Sequence, residues 1–175
     1  LFILKAGKIS LLKDINPGQN GSSPIGFTAL NGKLYFTAFN SSNGAALWVT
    51  DGTTEGTQMV ADVSPSTANL HPAGLTLSKS GFLYFSVDQK LYRSNGTTQG
   101  TTEVTGASKV DLTPNSEYVG RVVCPYNNGI AFLTEDNQTM KLWKADDKAV
   151  LLAEIKSSSF FFDFYGLTQV KAGLA

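Results

Sequence analysis

Few residues in this sequence have the types and spacing that catalysis or metal binding requires. The one histidine, His71, has no cysteine or histidine partner at metal-ligand spacing, so it predicts no zinc site. No nucleophile-elbow motif accompanies it, so a Ser-His-Asp triad is not indicated either. Asp146-Asp147 is a carboxylate pair, which we interpret as a solvated turn and not as an acid–base dyad. The one cysteine, Cys124, is expected to behave as a small buried hydrophobic residue.

A polar loop that occurs twice is the strongest candidate for a ligand site. The stretch from Asp51 to Thr57 (DGTTEGT) returns almost intact from Asn95 to Thr101 (NGTTQGT). Such a loop could hold calcium or a glycan, but calcium takes about six to eight oxygen ligands and each loop offers a single carboxylate or amide at its first position. We therefore interpret it as a self-satisfied turn, in which Asp51 or Asn95 accepts backbone hydrogen bonds and the two glycines supply positive φ. The predicted turn residues are Asp51, Gly52, Thr53, Gly56, Thr57, Asn95, Gly96, Thr97, Gly100 and Thr101.

The loop belongs to a larger repeat, because the residues before it also recur. An aromatic residue stands at one repeat position in four places, namely Phe2, Trp48, Tyr92 and Trp143. We expect these rings to lie in the core between repeats; a sugar-stacking platform is the alternative and would require exposed rings.

Each complete repeat predicts four short strands. In the first, these are 27–30, 33–39, 46–50 and 57–63, and Asn31-Gly32 between the first two predicts a tight hairpin. The predicted units are a half blade at 1–15, blades at 27–63, 75–112 and 118–155, and the start of another at 164–175. The predicted turn glycines are Gly32, Gly81, Gly129 and Gly173.

Four strands in a period of about 47 residues predict an all-β fold, specifically a β-propeller of four-stranded antiparallel blades. In 33–39 apolar side chains would point to both faces, as in a sheet packed between two others. A four-bladed ring is conceivable, with 1–15 completing the unit that begins at Leu167, but we favour an excerpt of a larger propeller. An open blade face would then be covered by the remainder of the chain or by a partner.

Composition excludes several classes of function. The 14 Lys and Arg balance the 14 Asp and Glu, so nothing indicates a nucleic acid partner. No apolar run reaches the roughly 20 residues of a spanning helix, so membrane insertion is not predicted. No phosphate-binding or dinucleotide fingerprint appears, so no cofactor is predicted. The chain begins without methionine, as expected of a piece of a longer or processed protein. Glycosylation sequons occur at Asn20, Asn40, Asn95 and Asn137.

The stretch from Leu47 to Thr57 resembles the ELW-x-x-DGT repeat of large secreted and surface proteins, mostly bacterial. The flanking 13–18 and 31–36 resemble that repeat too, whereas Ala46 and Asn95 depart from it. The resemblance implies a propeller-like repeat in an extracellular or cell-surface setting, with a structural or adhesive role and no catalytic residues.

We therefore expect a non-enzymatic module that serves as a scaffold, an adhesion element or a surface for protein or glycan partners. One alternative is a carbohydrate-binding propeller, and another is a subunit of a larger surface assembly or secretion machine. A propeller glycosidase would need paired carboxylates roughly 5–10 Å apart in a pocket.

Overall fold

The computed structural model describes residues 1–63, 73–112, 123–136, 139–156, 169–170 and 173–174. This part of the chain is all-β with antiparallel sheets, which confirms that part of the prediction, and it contains no helix long and apolar enough to cross a membrane. Its strands are β1 (Phe2–Lys5), β2 (Lys8–Leu11), β3 (Ile25–Leu30), β4 (Lys33–Asn40), β5 (Gly44–Thr50), β6 (Gln58–Asp62), β7 (Ala73–Leu77), β8 (Leu83–Val87), β9 (Lys90–Ser94), β10 (Thr101–Val104), β11 (Val123–Tyr126), β12 (Gly129–Asp136), β13 (Thr139–Ala145), β14 (Ala149–Lys156), β15 (Gln169–Val170) and β16 (Gly173–Leu174).

The strands form antiparallel sheets in which each strand pairs with the next one in the sequence. Three sheets have four strands: sheet A (β3–β6), sheet B (β7–β10) and sheet C (β11–β14). Two hairpins flank them, the N-terminal hairpin (β1–β2) and the C-terminal hairpin (β15–β16). Within the described residues β16 does not pair with β1, so the hairpins do not combine into a fourth four-stranded sheet.

The four strands predicted for the first unit are present, with ends that differ by one or two residues. Asn31 and Gly32 both have positive φ, at 51° and 73°, as a two-residue hairpin turn requires. The glycine prediction was wrong at Gly129, because the turn of sheet C is Asn127-Asn128 and Gly129 begins β12. A side chain at Gly129 would overlap the Ala145 carbonyl, so closeness to β13 requires glycine there.

The sheets stack face to face, and apolar side chains fill the space between them. Along β4, Tyr35 points toward sheet B and Phe36 toward the N-terminal segment, and both are buried. Along β8, Phe85 points back to sheet A and Tyr84 forward to sheet C, and both are 0% exposed. Because successive side chains in a strand alternate in direction, a strand that is apolar throughout fits a sheet covered on both faces.

Neighbouring sheets come closest at their first strands. The backbone of β3 lies beside β7, β7 beside β11, and β11 beside β15. Gly26 permits this approach, because a Cβ there would stand 3.0 Å from the Cβ of Leu75. Gly74 permits the segment after β10 to lie beside β7, because a Cβ there would overlap Leu112. The first strands of successive sheets therefore lie next to one another.

Candidate functional site

The loop from Asp51 to Thr57 is held together by its own side chains. The carboxylate of Asp51 accepts hydrogen bonds from the backbone N–H of Thr53 (2.9 Å) and from its hydroxyl (2.7 Å). The backbone N–H of Gly56 in turn donates to the Thr53 hydroxyl (2.9 Å). These bonds from Thr53 lower the pKa of Asp51, because they stabilise the ionised carboxylate. One carboxylate oxygen of Asp51 and the hydroxyl of Thr53 are thus engaged inside the turn.

The second loop repeats this arrangement without a charge. The side-chain oxygen of Asn95 accepts from the backbone N–H of Thr97 (3.0 Å) and from its hydroxyl (2.7 Å), and Gly100 N–H donates to the Thr97 hydroxyl (3.0 Å). An amide oxygen therefore replaces the carboxylate oxygen bond for bond. The loop requires an acceptor at its first position and does not require a negative charge.

A pair of hydroxyl groups closes the base of each loop. Thr57 donates to the Thr53 carbonyl (2.6 Å) and lies 2.7 Å from the Thr50 hydroxyl, which accepts from Gly52 N–H (3.0 Å). Ser94 and Thr101 form the same 2.7 Å pair in sheet B. Thr50, Thr57 and Ser94 are buried, so these bonds satisfy polar groups that have left water.

The two glycines of each loop have different roles. Gly52 and Gly96 have φ of 88° and 90°, as the sequence predicted. The prediction of positive φ was wrong for Gly56 and Gly100, since neither has positive φ. A Cβ at Gly56 would overlap the Asp51 carboxylate, and one at Gly100 would overlap the Asn95 amide. These two positions are glycine because the first side chain of the loop folds over them.

Each loop also binds the sheet that precedes it, through its second threonine. The Thr54 hydroxyl donates to the Leu12 carbonyl beside the N-terminal hairpin (2.9 Å), and the Thr98 hydroxyl donates to the Val60 carbonyl in sheet A (2.6 Å). Between sheets B and C, Ala149 N–H donates to the Thr105 carbonyl (2.8 Å). The sequence analysis did not predict these contacts of Thr54 and Thr98 with the preceding sheet. A threonine recurs at this position although the turn itself does not need its hydroxyl, and this recurrence could have indicated the contact.

Two tyrosines also join neighbouring sheets, each by contacting a loop or turn of the sheet that follows. The Tyr35 hydroxyl of sheet A lies against Gly96 of the next loop, where a Cβ would overlap it. The Tyr84 hydroxyl of sheet B donates to the Asp146 carbonyl in the turn of sheet C (3.1 Å). Arg93 lies 3.5 Å from the Asp146 carboxylate, so this carboxylate takes part in the contact between sheets.

Thr98→Val is expected to lower the free energy of unfolding by about 1 kcal/mol. Valine keeps the shape of the side chain but removes the bond to the Val60 carbonyl. Chemical denaturation monitored by tryptophan fluorescence measures the change. Thr102→Val, at an exposed strand position of the same sheet, is the control. Equal stability of the two variants would contradict a contact between sheets at Thr98.

Titration of Tyr84 tests the packing at its hydroxyl. Burial, with the Asp146 carboxylate as a second cause, raises the pKa of Tyr84 to about 12. The ordinary value is about 10, so the neutral phenol stabilises the fold below pH 10 and this contribution is lost as the pH rises toward 12. The difference in tyrosinate absorbance between wild type and Tyr84→Phe should therefore appear near pH 12. A difference that titrates near pH 10 in the folded protein would contradict this environment.

Three of the four predicted core aromatics lie against a neighbouring element. Trp48 is 7% exposed and packs with Ile15. Tyr92 and Trp143 are half-buried and pack against the clusters shared with sheets A and B, respectively. Each also stacks on its cross-strand partner within its own sheet, Tyr92 on Phe85 (5.8 Å between ring centres) and Trp143 on Phe132 (6.3 Å). The prediction was wrong for Phe2, which is 68% exposed because no sheet covers that face of the N-terminal hairpin among the described residues. A sugar-stacking platform needs exposed rings, and Trp48 does not provide one.

Ala38→Ser is expected to raise the free energy of unfolding by about 1 kcal/mol. Within the described residues the buried Trp48 Nε1 has no hydrogen-bond partner, whereas Trp143 Nε1 donates to the Thr134 hydroxyl (2.9 Å). Ala38 occupies the position of Thr134, two residues after the phenylalanine that pairs with the tryptophan. Ala46→Ser in the same cluster is the control and should destabilise. Thermal melts measure the change. If Ala38→Ser and Ala46→Ser lowered the melting temperature equally, the hydroxyl introduced at position 38 would not be accepting a hydrogen bond from Trp48 Nε1.

Other residues singled out in the sequence lie in structural positions or outside the described residues. Asn16 is 4% exposed and accepts from the backbone N–H and the hydroxyl of Ser41 (2.8 and 2.7 Å), so the loop after β2 is clamped to β4–β5. Burial raises the pKa of the Cys124 thiol, which makes it a poor nucleophile. His71 and Asn137 lie outside the described residues.

Two apolar surfaces stand out among the described residues. A cavity of about 690 Å³ lies where the first strands converge and is lined mainly by apolar residues such as Phe27, Leu75 and Val123. The other is the apolar face of the N-terminal hairpin. The described residues hold no group of three or more His, Cys, Asp or Glu that could bind a metal ion.

Comparisons with protein-family models, with curated proteins and with solved structures find no match to this chain.

Proposed function

We propose that sheets A, B and C are consecutive blades of a β-propeller of the ELW-x-x-DGT type, and that the chain is a non-enzymatic module of a secreted or cell-surface protein. It serves as a scaffold, adhesion element or partner-binding surface. The recurring contact between sheets carries this proposal. In sheets A and B a loop hydroxyl binds a backbone carbonyl near the end of the unit before it, Thr54 that of Leu12 just after β2 and Thr98 that of Val60 in β6.

Convergence of the first strands supports a radial arrangement. In a propeller the first strand of each blade lies nearest the axis, and blades are covered on both faces by their neighbours. The close approach of β3, β7 and β11 and the two buried faces of sheets A and B fit this geometry. A two-layer sandwich would cover each sheet on one face only.

An experimental structure of the natural protein tests the arrangement. We expect sheets A, B and C to be successive wedges around one axis, with β3, β7 and β11 innermost. A structure in which these sheets pair as two layers of a sandwich would contradict a propeller. Glycan panels added to the protein test the carbohydrate-binding alternative, for which a change in Trp143 fluorescence is the expected sign.

A scaffold role follows from how the motif uses its polar atoms. The side chains of Asp51, Thr53, Asn95 and Thr97 are engaged within their turns, and those of Thr54 and Thr98 bind the preceding unit. The distinctive residues of the repeat therefore stabilise its turns and the contacts between sheets. The extracellular setting rests on the resemblance of Leu47 to Thr57 to repeats of secreted and surface proteins.

Protease treatment of intact cells of the source organism tests this setting. An antibody against the chain should show its loss when protease is added outside the cells, while a cytoplasmic marker stays intact. Survival of the chain until the cells are lysed would contradict a surface or secreted location.

A further inference from the structure

Five asparagines in this chain are followed directly by glycine, namely Asn20, Asn31, Asn43, Asn95 and Asn128. In such a pair the backbone nitrogen of the glycine can attack the Cγ of the asparagine side chain, because glycine has no side chain to hinder the approach and its backbone bends freely. Asparagine is among the thermolabile residues of proteins. The five pairs consist of the same two residues, so differences in their reactivity come from the structure around them.

The reaction, deamidation, consumes water and releases ammonia. The glycine nitrogen loses its proton to base and forms a bond to Cγ; the side-chain nitrogen takes a proton from water and leaves as ammonia, so that a cyclic succinimide remains. Water then adds to one of the two ring carbonyl carbons and breaks its bond to nitrogen. Addition at Cγ gives aspartate, and addition at the main-chain carbonyl gives isoaspartate, in which the chain continues through the side chain. Reaction therefore requires that the glycine N–H and the asparagine side chain are free to meet.

The pair at Asn95 is closed by hydrogen bonds, although Asn95 itself is exposed. Its side-chain oxygen accepts from the N–H and the hydroxyl of Thr97 (3.0 and 2.7 Å), which fix the amide in place. The N–H of Gly96 donates to the buried Ser94 hydroxyl (3.0 Å), and the Tyr35 hydroxyl of the neighbouring sheet lies against Gly96. Both reacting groups are therefore held, and the loop must open before they can meet.

The pairs at Asn43 and Asn128 are closed by the placement of their glycines. Gly44 is buried, begins β5 and pairs with β4. Gly129 is buried, begins β12 and lies so close to the Ala145 carbonyl that no side chain would fit. A buried residue in a strand cannot turn its nitrogen toward the preceding side chain without disturbing the sheet, so these two pairs are protected as well.

The pairs at Asn20 and Asn31 are open. Both asparagines and both following glycines are exposed. Within the part of the chain that the structure describes, neither asparagine side chain and neither glycine N–H has a hydrogen-bond partner. A Cβ at Gly21 or at Gly32 would meet nothing within 4 Å, so water and base reach both sites. At these two pairs the reacting groups can meet without the loss of a hydrogen bond of the fold.

We propose that the folded chain directs spontaneous deamidation to Asn20 and Asn31 and protects its other Asn-Gly pairs. At Asn31, where φ is 51°, aspartate fits the turn because aspartate also adopts positive φ. Isoaspartate would lengthen the backbone of this turn and disturb the pairing of Leu30 with Lys33. Each event adds a negative charge to a chain in which 14 basic residues balance 14 acidic ones. The inference does not depend on whether the sheets form a propeller.

Incubation of the folded chain in mildly alkaline buffer, followed by digestion and tandem mass spectrometry, measures the rate at each asparagine. Asn20 and Asn31 should react about 10-fold or more faster than Asn95, because hydrogen bonds must first break at Asn95. The same chain unfolded in guanidinium chloride is the control, and there all Asn-Gly pairs should react at similar rates. If Asn20 and Asn31 reacted no faster than the other pairs in the folded chain, the proposal would be overturned.

Two variants test the physical causes, with urea denaturation to verify that each is folded. Thr97→Val removes a hydroxyl that binds the Asn95 side chain, so it should raise the rate at Asn95 and leave the rate at Asn31 unchanged. Gly21→Ala places a Cβ in open space at a residue without positive φ, so it should slow Asn20 alone. An unchanged rate at Asn95 in the first variant would overturn protection by the loop. An unchanged rate at Asn20 in the second would overturn attack by the glycine nitrogen.

Discussion

Phe85→Ala is expected to lower the free energy of unfolding by about 3–5 kcal/mol. Phe85 is 0% exposed and lies in the cluster that joins sheets A and B, where its ring stacks on Tyr92. Alanine would remove this apolar contact and leave a cavity between two sheets that are held apart by their other side chains. Urea denaturation, followed by circular dichroism and by fluorescence, measures the loss.

Phe27→Ala is the matched control for this substitution. Phe27 also stacks on another ring, that of Phe36 at 5.1 Å, but it is 47% exposed. Its removal takes away less buried surface and opens the site to water, so a loss of about 1 kcal/mol is expected. If the two variants were equally stable, the cluster between sheets A and B would not carry the stability that its burial indicates.

Gly74→Ala is expected to lower the free energy of unfolding by about 2–5 kcal/mol. Gly74 has φ of 70°, which costs a residue with a Cβ about 1–2 kcal/mol. The new Cβ would also overlap Leu112, which lies in the segment after β10, and such overpacking adds about 1–3 kcal/mol. Thermal and urea denaturation should both show the loss, together with faster hydrogen exchange in β7 and β8.

Gly32→Ala separates the cost of the positive φ from the cost of the overlap with Leu112. Gly32 has nearly the same φ, 73°, but a Cβ there would meet open space. Only the backbone cost of about 1–2 kcal/mol should remain. Equal losses at Gly74 and Gly32 would mean that the overlap with Leu112 is not a source of the cost.

The sequence predicted the local architecture well, because short-range chemistry determines it. Asn31-Gly32 predicts its hairpin from backbone preference alone. Because side chains alternate along a strand, the apolar residues of 33–39 are expected on both faces of the sheet. The self-contained turn at Asp51 was predicted for the same reason, since its bonds join residues two or three apart. In each case the partners are close in the sequence.

The contacts between units could not be predicted in the same way. The partner of Thr98 is the Val60 carbonyl, and the partner of Tyr35 is a loop in the next sheet; both depend on how two sheets are placed side by side. The wrong prediction for Phe2 also depends on how sheets are placed. Its repeat position predicted burial, but burial depends on a neighbouring sheet that a repeat position does not supply.

The direction of the threonine contacts has a consequence for biosynthesis. Thr54 and Thr98 donate to Leu12 and Val60, which precede them in the sequence. During translation the acceptor carbonyl therefore leaves the ribosome before the donor, so the segment on which sheet A or sheet B docks is synthesised before that sheet. Domains generally form from the N-terminus as the chain is made. The repeat is thus suited to growth by successive additions, in which each unit serves as the template for the one that follows.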